Sequence, residues 1–185
     1  MIYPIRAYGD PVLRKECEDI EDFNDDLIKL VDDMFETMDA SDGVGLAAPQ
    51  IGKAVRLFVI DSTLFDKDDE NNGTRQAFIN PEIIEEEGEE WAFEEGCLSI
   101  PDVREDVNRQ PKVTLSYTTI DNKEVTETFE GMSARVIQHE YDHIEGILFV
   151  DHISAFKRQL LKGKLANISR GKVNVRYRMK FPKRK

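Results

Sequence analysis

The pentapeptide HEYDH occupies residues 139–143 and contains two of the three histidines in the chain. Side chains four positions apart project from one face of an α-helix, so His139 and His143 are spaced to hold one metal ion between them. Glu140 follows the first histidine directly and is placed to take a proton from a water molecule that the metal activates. The spacing predicts a metal-binding helix, and the alternative is an amphipathic helix with two half-buried histidines.

A third protein ligand is expected, because catalytic sites of this type usually combine three ligands with one open position. In two common protease patterns that ligand follows the helix, as a histidine six residues after the second one or as a more distant glutamate. Here Phe149 occupies the first position and no glutamate follows Glu145, so both patterns are excluded. The remaining donors are Asp151 and His152 downstream and a stronger candidate, Cys97, upstream.

Cys97 lies in the segment EGCLSIP, residues 95–101. A free cysteine is often only a small buried hydrophobic residue. Gly96 permits unusual backbone angles or a close approach, and Pro101 interrupts a regular strand, which together favour a thiolate presented from a bent segment. The only other cysteine, Cys17, is eighty residues away in a charged stretch, so no disulfide framework is expected and we assign Cys17 no function.

A third segment, GVGLAAPQIG at residues 43–52, carries three glycines and a proline. This composition predicts a tight loop with small side chains, along which another backbone can run closely. A plain connection before a strand at 55–61 would explain the same segment.

In chain order, GVGLAAPQIG, EGCLSIP and HEYDH resemble the three motifs of the peptide deformylase family, and the resemblance extends from about Ile5 to Asp151. It implies hydrolysis of the formyl group from the N-terminal formyl-methionine of nascent polypeptides, with release of formate. Two other classes stay open. One is a metalloprotease or amidase of different specificity, and the other is a nonenzymatic binding domain that uses a basic C-terminal tail.

The resemblance also assigns roles to residues of this sequence. It implies Glu140 as the general acid and base, and it implies that the Gln50 amide and the Leu98 backbone N–H bind the developing oxyanion. The implied metal ligands are Cys97, His139 and His143. This set of donors suits zinc, cobalt, nickel or ferrous iron. Because deformylases of this kind generally work with ferrous iron, we expect Fe²⁺ in the cell, with Zn²⁺, Ni²⁺ or Co²⁺ able to substitute.

The methionine side chain of such a substrate needs an apolar pocket near the metal. Met132 and Val136 precede His139 on broadly its side of the helix, and with Val44 they are candidates to line this pocket or are ordinary core residues. The peptide is expected to run as an added strand beside residues 43–46, which include Gly43 and Gly45.

Two charged residues near Cys97 complete the candidate site. Arg104 matches a family position near the substrate and is a candidate contact for the substrate backbone. Glu95 is expected either to hold that arginine or to orient a metal ligand. A structural salt bridge without a role in substrate binding is the alternative for both.

The length of 185 residues predicts a single domain, 1–185, with an α+β fold in which small antiparallel or mixed sheets surround a central helix at 132–146. Apolar spacing predicts an N-terminal helix at 24–40 and a C-terminal helix near 154–168. Alternating patterns predict strands at 55–61, 77–84, 89–94, 112–120 and 123–129, and a further strand after Gly171. The acidic stretch Asp66–Gly73 is typical of a surface loop.

Charge is unevenly distributed along the chain. Residues 151–185 contain twelve Lys or Arg and one acidic residue, whereas the net charge of the whole chain is −12. This basic C-terminal segment is either a solvated surface or, as the resemblance implies, a contact to the ribosome. The sequence has no apolar run that would span a bilayer and no signal-peptide pattern at Met1–Asp10, so we expect a cytoplasmic monomer without a membrane partner.

Overall fold

A computed structural model describes residues 1–65 and 73–182. Its three α-helices are α1 (Asp25–Ala40), α2 (Gly131–Ile144) and α3 (Ala155–Ser169). Its strands are β1 (Ile5–Arg6), β2 (Gly45–Ala47), β3 (Leu57–Asp61), β4 (Arg75–Glu87), β5 (Trp91–Cys97), β6 (Ile100–Arg109), β7 (Lys112–Thr118), β8 (Glu124–Glu130) and β9 (Met179–Lys180). The predicted surface loop at 66–73 falls almost entirely outside the described residues. The predicted α+β class is confirmed.

Helix α1 begins where its sequence supplies a cap. The Asn24 side chain accepts hydrogen bonds from the N–H groups of Asp26 and Leu27, which otherwise lack partners at a helix start. Acidic residues in the first turn suit the positive end of the helix dipole. The buried face carries the apolar residues spaced three and four apart that predict this helix, namely Leu27, Val31, Met34 and Met38.

Five strands form an antiparallel sheet in the order β2-β3-β4-β7-β8. In β7 the residues Val113, Leu115 and Tyr117 are buried, and the residues between them are less so, as expected for one face on the core. Phe78 in β4 lies at the centre of an aromatic group with Phe58, Tyr117 and Phe129. Because β2 is an edge strand of this sheet, its outer edge is available for another strand.

Helix α2 follows β8 directly and packs against the sheet. Ala134, Val136 and Ile137 join the aromatic cluster, and burying one side chain such as Ile137 stabilises the fold by about 1.5–3 kcal/mol. Polar side chains of α2 are buried as well, against the hairpin of β5 and β6, and the last section of the helix carries His139, Glu140 and His143. The sheet and the hairpin therefore hold the motif helix between them.

The hairpin of β5 and β6 differs from the sequence prediction. Pro101 was expected to interrupt regular structure, and β6 was not predicted, yet Pro101 lies inside this ten-residue strand. The register explains the difference. Gly96 pairs with Arg104 whereas Cys97 pairs with Ile100, so residues 101–103 form an irregularity in which a proline costs no ladder hydrogen bond.

The C-terminal segment returns to the start of the chain. Ser154 caps α3, and Leu165 and Ile168 bury the inner side of this helix. Gly171, at φ +77°, ends the helical path in a conformation that favours glycine. The predicted tail strand is correct in type but short, since only β9 pairs, in parallel with β1. Within the described ranges, no helix has both the length and the apolar composition needed to cross a membrane.

Candidate metal centre

The end of β5 and the last turns of α2 bring three metal-binding side chains together. The donor atoms of Cys97, His139 and His143 all lie within 4.8 Å of one another. Sγ of Cys97 is 3.2 Å from Nε2 of His143. The two other candidate ligands from the sequence are engaged elsewhere, because His152 bonds to Asp142 and Asp151 pairs with Arg14.

The donor set fits a divalent metal ion. One sulfur and two imidazole nitrogens are ligands of zinc and ferrous iron, and a metal-binding cysteine must be a thiolate. Burial raises the pKa of the Cys97 thiol, but His143 and His139 outweigh burial and lower that pKa to about 5. Burial lowers the pKa of His139, but its contacts with Cys97 and Glu95 raise that pKa well above the usual value. A metal cation bound here would replace the proton that the Cys97 thiolate and the His139 imidazole share.

Glu95 orients the first histidine. Nδ1 of His139 lies 2.9 Å from Oε2 of Glu95, and the carboxylate also accepts from Nε of Arg109 at 2.7 Å and Nη1 of Arg135 at 2.7 Å. Burial raises the pKa of Glu95, but the bonds from His139 and Arg109 hold it well below its usual range. Because Glu95 is a carboxylate, His139 donates through Nδ1 and keeps Nε2 free for a metal.

Two arginines and an aspartate extend this buried network, and the sequence analysis missed all three. Arg109 donates from Nη1 to Oδ2 of Asp142 at 2.9 Å, which links β6 to α2. Arg135 donates to the Trp91 carbonyl oxygen at 2.7 Å, and its guanidinium lies 4.2 Å from the Trp91 ring centroid. No local motif marks these residues, because their partners are distant in sequence.

Glu140 is buried beside the three donors. Burial raises its pKa to about 7, even though the neighbouring histidines act in the opposite direction. Its Oε2 atom is buried and has no hydrogen-bond partner among the described residues. Gly45 of β2 lies directly against it, since a Cβ atom at this glycine would come within 2.8 Å of Cγ and Cδ of Glu140. The glycine therefore leaves the space that the carboxylate fills.

Two polar groups from the loops lie close to Cys97 in space or in sequence, the Gln50 amide and the Leu98 N–H. Nε2 of Gln50 donates to Sγ of Cys97 at 3.4 Å and to Oγ of Ser99 at 3.4 Å. Oε1 of Gln50 accepts from the Ala47 N–H at 2.7 Å, which fixes the orientation of the amide. The Leu98 N–H donates to no protein acceptor in the described part of the chain. The Gln50 amide therefore reaches Cys97, and the Leu98 N–H belongs to the residue that follows Cys97.

The remaining candidate residues are Val44, Val136, Met132, Gly43 and Arg104. Val44 packs against the cluster that contains Val136, next to the edge strand β2, whereas Met132 is half-buried and outside this cluster. Gly43 lies close to the Leu98 side chain. Arg104 is exposed and pairs with Glu94 at 3.9 Å. The expectation that Glu95 holds Arg104 is therefore corrected, because the buried Glu95 carboxylate binds His139 and two other arginines.

The chain is similar to known proteins over nearly its full length. The polypeptide deformylase family model matches residues 2–159. The peptide deformylase of Cytophaga hutchinsonii is 59% identical over 185 residues and covers all of both chains. That of Christiangramia forsetii is 56% identical, over all of this chain and 98% of the relative.

Solved structures agree with the sequence comparison. The peptide deformylase of Legionella pneumophila has a TM-score of 0.81 at 42% identity, covering 93% of this chain and 98% of that one. That of Thermus thermophilus has a TM-score of 0.82 at 38% identity, covering 92% of this chain and 99% of that one. The chain therefore belongs to the polypeptide deformylase family, metal-dependent hydrolases that remove the N-terminal formyl group from nascent polypeptides.

Proposed function

We propose that this chain carries out the deformylase reaction at the centre formed by Cys97, His139 and His143, with Glu140 as the general acid and base. The observation that carries the proposal is the convergence of the three donor atoms within 4.8 Å beside a buried carboxyl group. When bound there, a divalent metal ion would supply Lewis acidity to the formyl oxygen and to water.

Glu140 moves the proton in this mechanism. Its pKa of about 7 suits a group that must both accept and release a proton near neutral pH. As water adds to the formyl carbon, Oε2 of Glu140 accepts a proton from the water. The same carboxyl group then delivers this proton to the departing amine nitrogen while the carbon–nitrogen bond breaks. The products are formate and a free amino terminus.

Gln50 and Leu98 stabilise the charge that develops on the formyl oxygen. The Gln50 amide is fixed by its bond to Ala47, and the Leu98 N–H has no protein acceptor within the described ranges. Donors held in this way need no reorganisation as charge builds up, and losing one of them typically costs about 100- to 1000-fold in rate.

The substrate peptide is proposed to bind along β2. The outer edge of this strand leaves backbone groups available, and residues Gly43, Val44 and Gly45 form the approach to Glu140. Val44 and Val136 would line the pocket for the methionine side chain, with Met132 at its border. We propose that the exposed Arg104 contacts the substrate backbone and that Glu95 orients His139.

The small size of the formyl group determines, in this proposal, which acyl groups the site accepts. A formyl carbon bears only hydrogen, so a narrow space between Gly45 and the metal centre admits it and excludes a larger acyl group. Cleavage of acetyl-methionine peptides as fast as formyl-methionine peptides would contradict this selection.

Ferrous iron is the proposed cofactor in the cell. The ligand set accepts Zn²⁺, Ni²⁺ and Co²⁺ as well, so the donor atoms alone do not select among them. A thiolate beside ferrous iron is sensitive to oxidation. We therefore expect protein purified without oxygen to contain iron and protein purified in air to lose activity, which elemental analysis and formate release would measure together.

The proposed setting is the cytoplasm, where the chain acts as a monomer with one domain and meets nascent peptides at the ribosome. Lys162, Arg170 and Lys172 are exposed residues of the basic C-terminal segment, whereas Lys157 is paired with Glu105 at 2.7 Å. Binding to ribosomal RNA through such residues would be strongly salt-dependent. Ribosome binding by a Lys162→Glu variant that equals wild type at moderate salt would contradict this contact.

The experiment for the proposed function is formate release from a formyl-Met-Ala-Ser peptide by oxygen-free protein loaded with ferrous iron or nickel. We expect formate in amounts equal to the new amino termini. Fully metallated protein that releases no formate would contradict the proposed function.

A further inference from the structure

The turn between β5 and β6 contains the proposed oxyanion donor. Cys97 pairs with Ile100, so Leu98 and Ser99 are the two central residues of a tight turn. The peptide between the two central residues of a β-turn makes no hydrogen bond within the turn, and turn types differ in the direction in which this peptide points. Leu98 contributes its carbonyl oxygen to this central peptide and its N–H to the peptide before it, so the conformation of Leu98 depends on what holds that carbonyl oxygen.

Three other parts of the chain hold this turn. The Tyr177 hydroxyl donates to the Leu98 carbonyl oxygen at 2.8 Å. The Tyr8 N–H donates to the Ser99 carbonyl oxygen at 2.8 Å, and Gln50 reaches the Ser99 hydroxyl. The Tyr177 bond is the one that fixes the central peptide, because the Leu98 carbonyl belongs to it.

Tyr177 is itself held firmly although it belongs to the C-terminal tail. Its ring packs with the apolar cluster around α1, and the next residue, Arg178, accepts a hydrogen bond at its carbonyl from the Ile5 N–H at 2.8 Å. Burial raises the pKa of the Tyr177 phenol, so the hydroxyl keeps its proton and remains a donor at neutral pH. The tail therefore reaches the turn as an anchored segment that leads into β9.

We propose that Tyr177 is a positioning residue for the deformylase reaction, which acts by holding the Leu98 carbonyl oxygen and with it the residue whose N–H binds the developing oxyanion. The proposal rests on the proposed role of Leu98 in binding the oxyanion. It makes residues 173–182 part of the catalytic unit, in addition to any contact that the basic charges of the tail make elsewhere.

The test is the Tyr177→Phe variant, which keeps the half-buried ring and removes only the hydroxyl. We expect kcat for formyl-Met-Ala-Ser to fall about tenfold and KM to change less than about twofold, because the donor acts on charge that develops in the transition state. Amide hydrogen exchange measured by mass spectrometry should be faster for the peptide that covers residues 97–100. Metal content should equal that of wild type.

Tyr117→Phe is the matched control. The Tyr117 hydroxyl donates to Glu127 at 2.7 Å and accepts from Gln76 at 3.2 Å, on β7 and away from the metal centre. This variant also loses a hydrogen-bonded tyrosine hydroxyl, and its kcat should remain within about twofold of wild type.

Each other outcome overturns the proposal. If Tyr177→Phe has the kcat of wild type or of the control, the hydroxyl does not position the donor. If its lower activity follows lost metal or unfolding at the assay temperature, Tyr177 has a structural role only. Inactive wild-type protein would instead contradict the proposed function, and unchanged exchange of residues 97–100 would then overturn the positioning of the turn independently of activity.

Discussion

Oε2 of Glu95 accepts a hydrogen bond from Nδ1 of His139 at 2.9 Å, and this contact connects the metal centre to the most extensively paired carboxylate of the hairpin. Glu95 is on β5 and His139 is on α2, so the bond fixes the two elements that carry the three donors. Arg109 and Arg135 compensate the buried negative charge. The orientation of the histidine therefore depends on Glu95 and, through it, on two arginines that lie outside the three sequence motifs.

Replacing Glu95 by glutamine should weaken metal binding by about 10- to 100-fold. His139 loses its charged acceptor, and two buried arginines lose a carboxylate that balances their positive charge. Competition with a chromogenic chelator would measure the dissociation constant. The matched control is Glu94→Gln, since Glu94 is the exposed neighbour whose one ion pair in the described part of the chain is with exposed Arg104, at 3.9 Å. Equal affinities for the two variants would show that Glu95 does not orient the ligand.

Gly45→Ala should lower kcat/KM by about 100-fold, because the new methyl group would displace Glu140 and misplacement of a reacting group by about 1 Å can cost this much. Steady-state kinetics at matched metal content would measure the change. Gly163→Ala is the control, since a Cβ there meets nothing within 4 Å and should stabilise α3 by about 0.5–1 kcal/mol without changing the rate. A fully active Gly45→Ala protein would contradict the close contact.

The central helix and the pairing of its histidines are readable from local sequence, because the spacing of four in HEYDH and the apolar residues before it are properties of one segment. The helices α1 and α3 are predictable for the same reason. Strand β6 is not, because Pro101 is acceptable only at the register shift opposite Gly96 and Cys97, and this shift exists only in the paired hairpin.

The parts of the site that the sequence does not reveal depend on long-range contacts. Arg109 reaches both Glu95 and Asp142, and Tyr177 reaches Leu98 across 79 positions of sequence. Arginines and tyrosines are common in any chain, so residue type alone does not mark the ones that belong to the site. Only the folded chain brings them next to their partners. The same reason explains why the sequence left two partners open for Glu95, Arg104 or a metal ligand, since Glu95 is buried and the nearby Arg104 is exposed.

Cys17 should be unreactive in the native protein. Burial raises its thiol pKa to about 11, although Arg56 acts in the opposite direction. At pH 8 this pKa leaves about one thiolate in a thousand, and the fraction rises as the pH approaches 11. Alkylation with iodoacetamide followed by peptide mass spectrometry should show unmodified Cys17 at pH 8 and full modification in urea. Native modification at the rate of a free cysteine peptide would contradict its burial.

Asp151 should make stability sensitive to acid. Burial raises its pKa, but hydrogen bonds from Arg14 and from the Leu148 N–H outweigh burial and lower it. A lowered pKa contributes stability at neutral pH that is lost as the pH falls below about 4, where the unfolded state takes up the proton first.

The Asp151→Asn variant tests this dependence. It should cost about 1 kcal/mol or less at pH 7, because the ion pair is partly exposed and screened by solvent, and the difference from wild type should shrink toward pH 3. Urea unfolding at a series of pH values would measure it. A difference that stays constant from pH 7 to pH 3 would show that the charge of Asp151 is not the cause.

In the proposed mechanism Glu140 moves the proton beside a metal held by Cys97, His139 and His143. The most direct test is formate release from formyl-Met-Ala-Ser by wild-type protein and by Glu140→Ala, both prepared without oxygen and loaded with the same amount of ferrous iron or nickel. We expect rapid release by wild type and a loss of activity of about 100-fold or more in the variant at equal metal content. A variant that releases formate at the wild-type rate would contradict it.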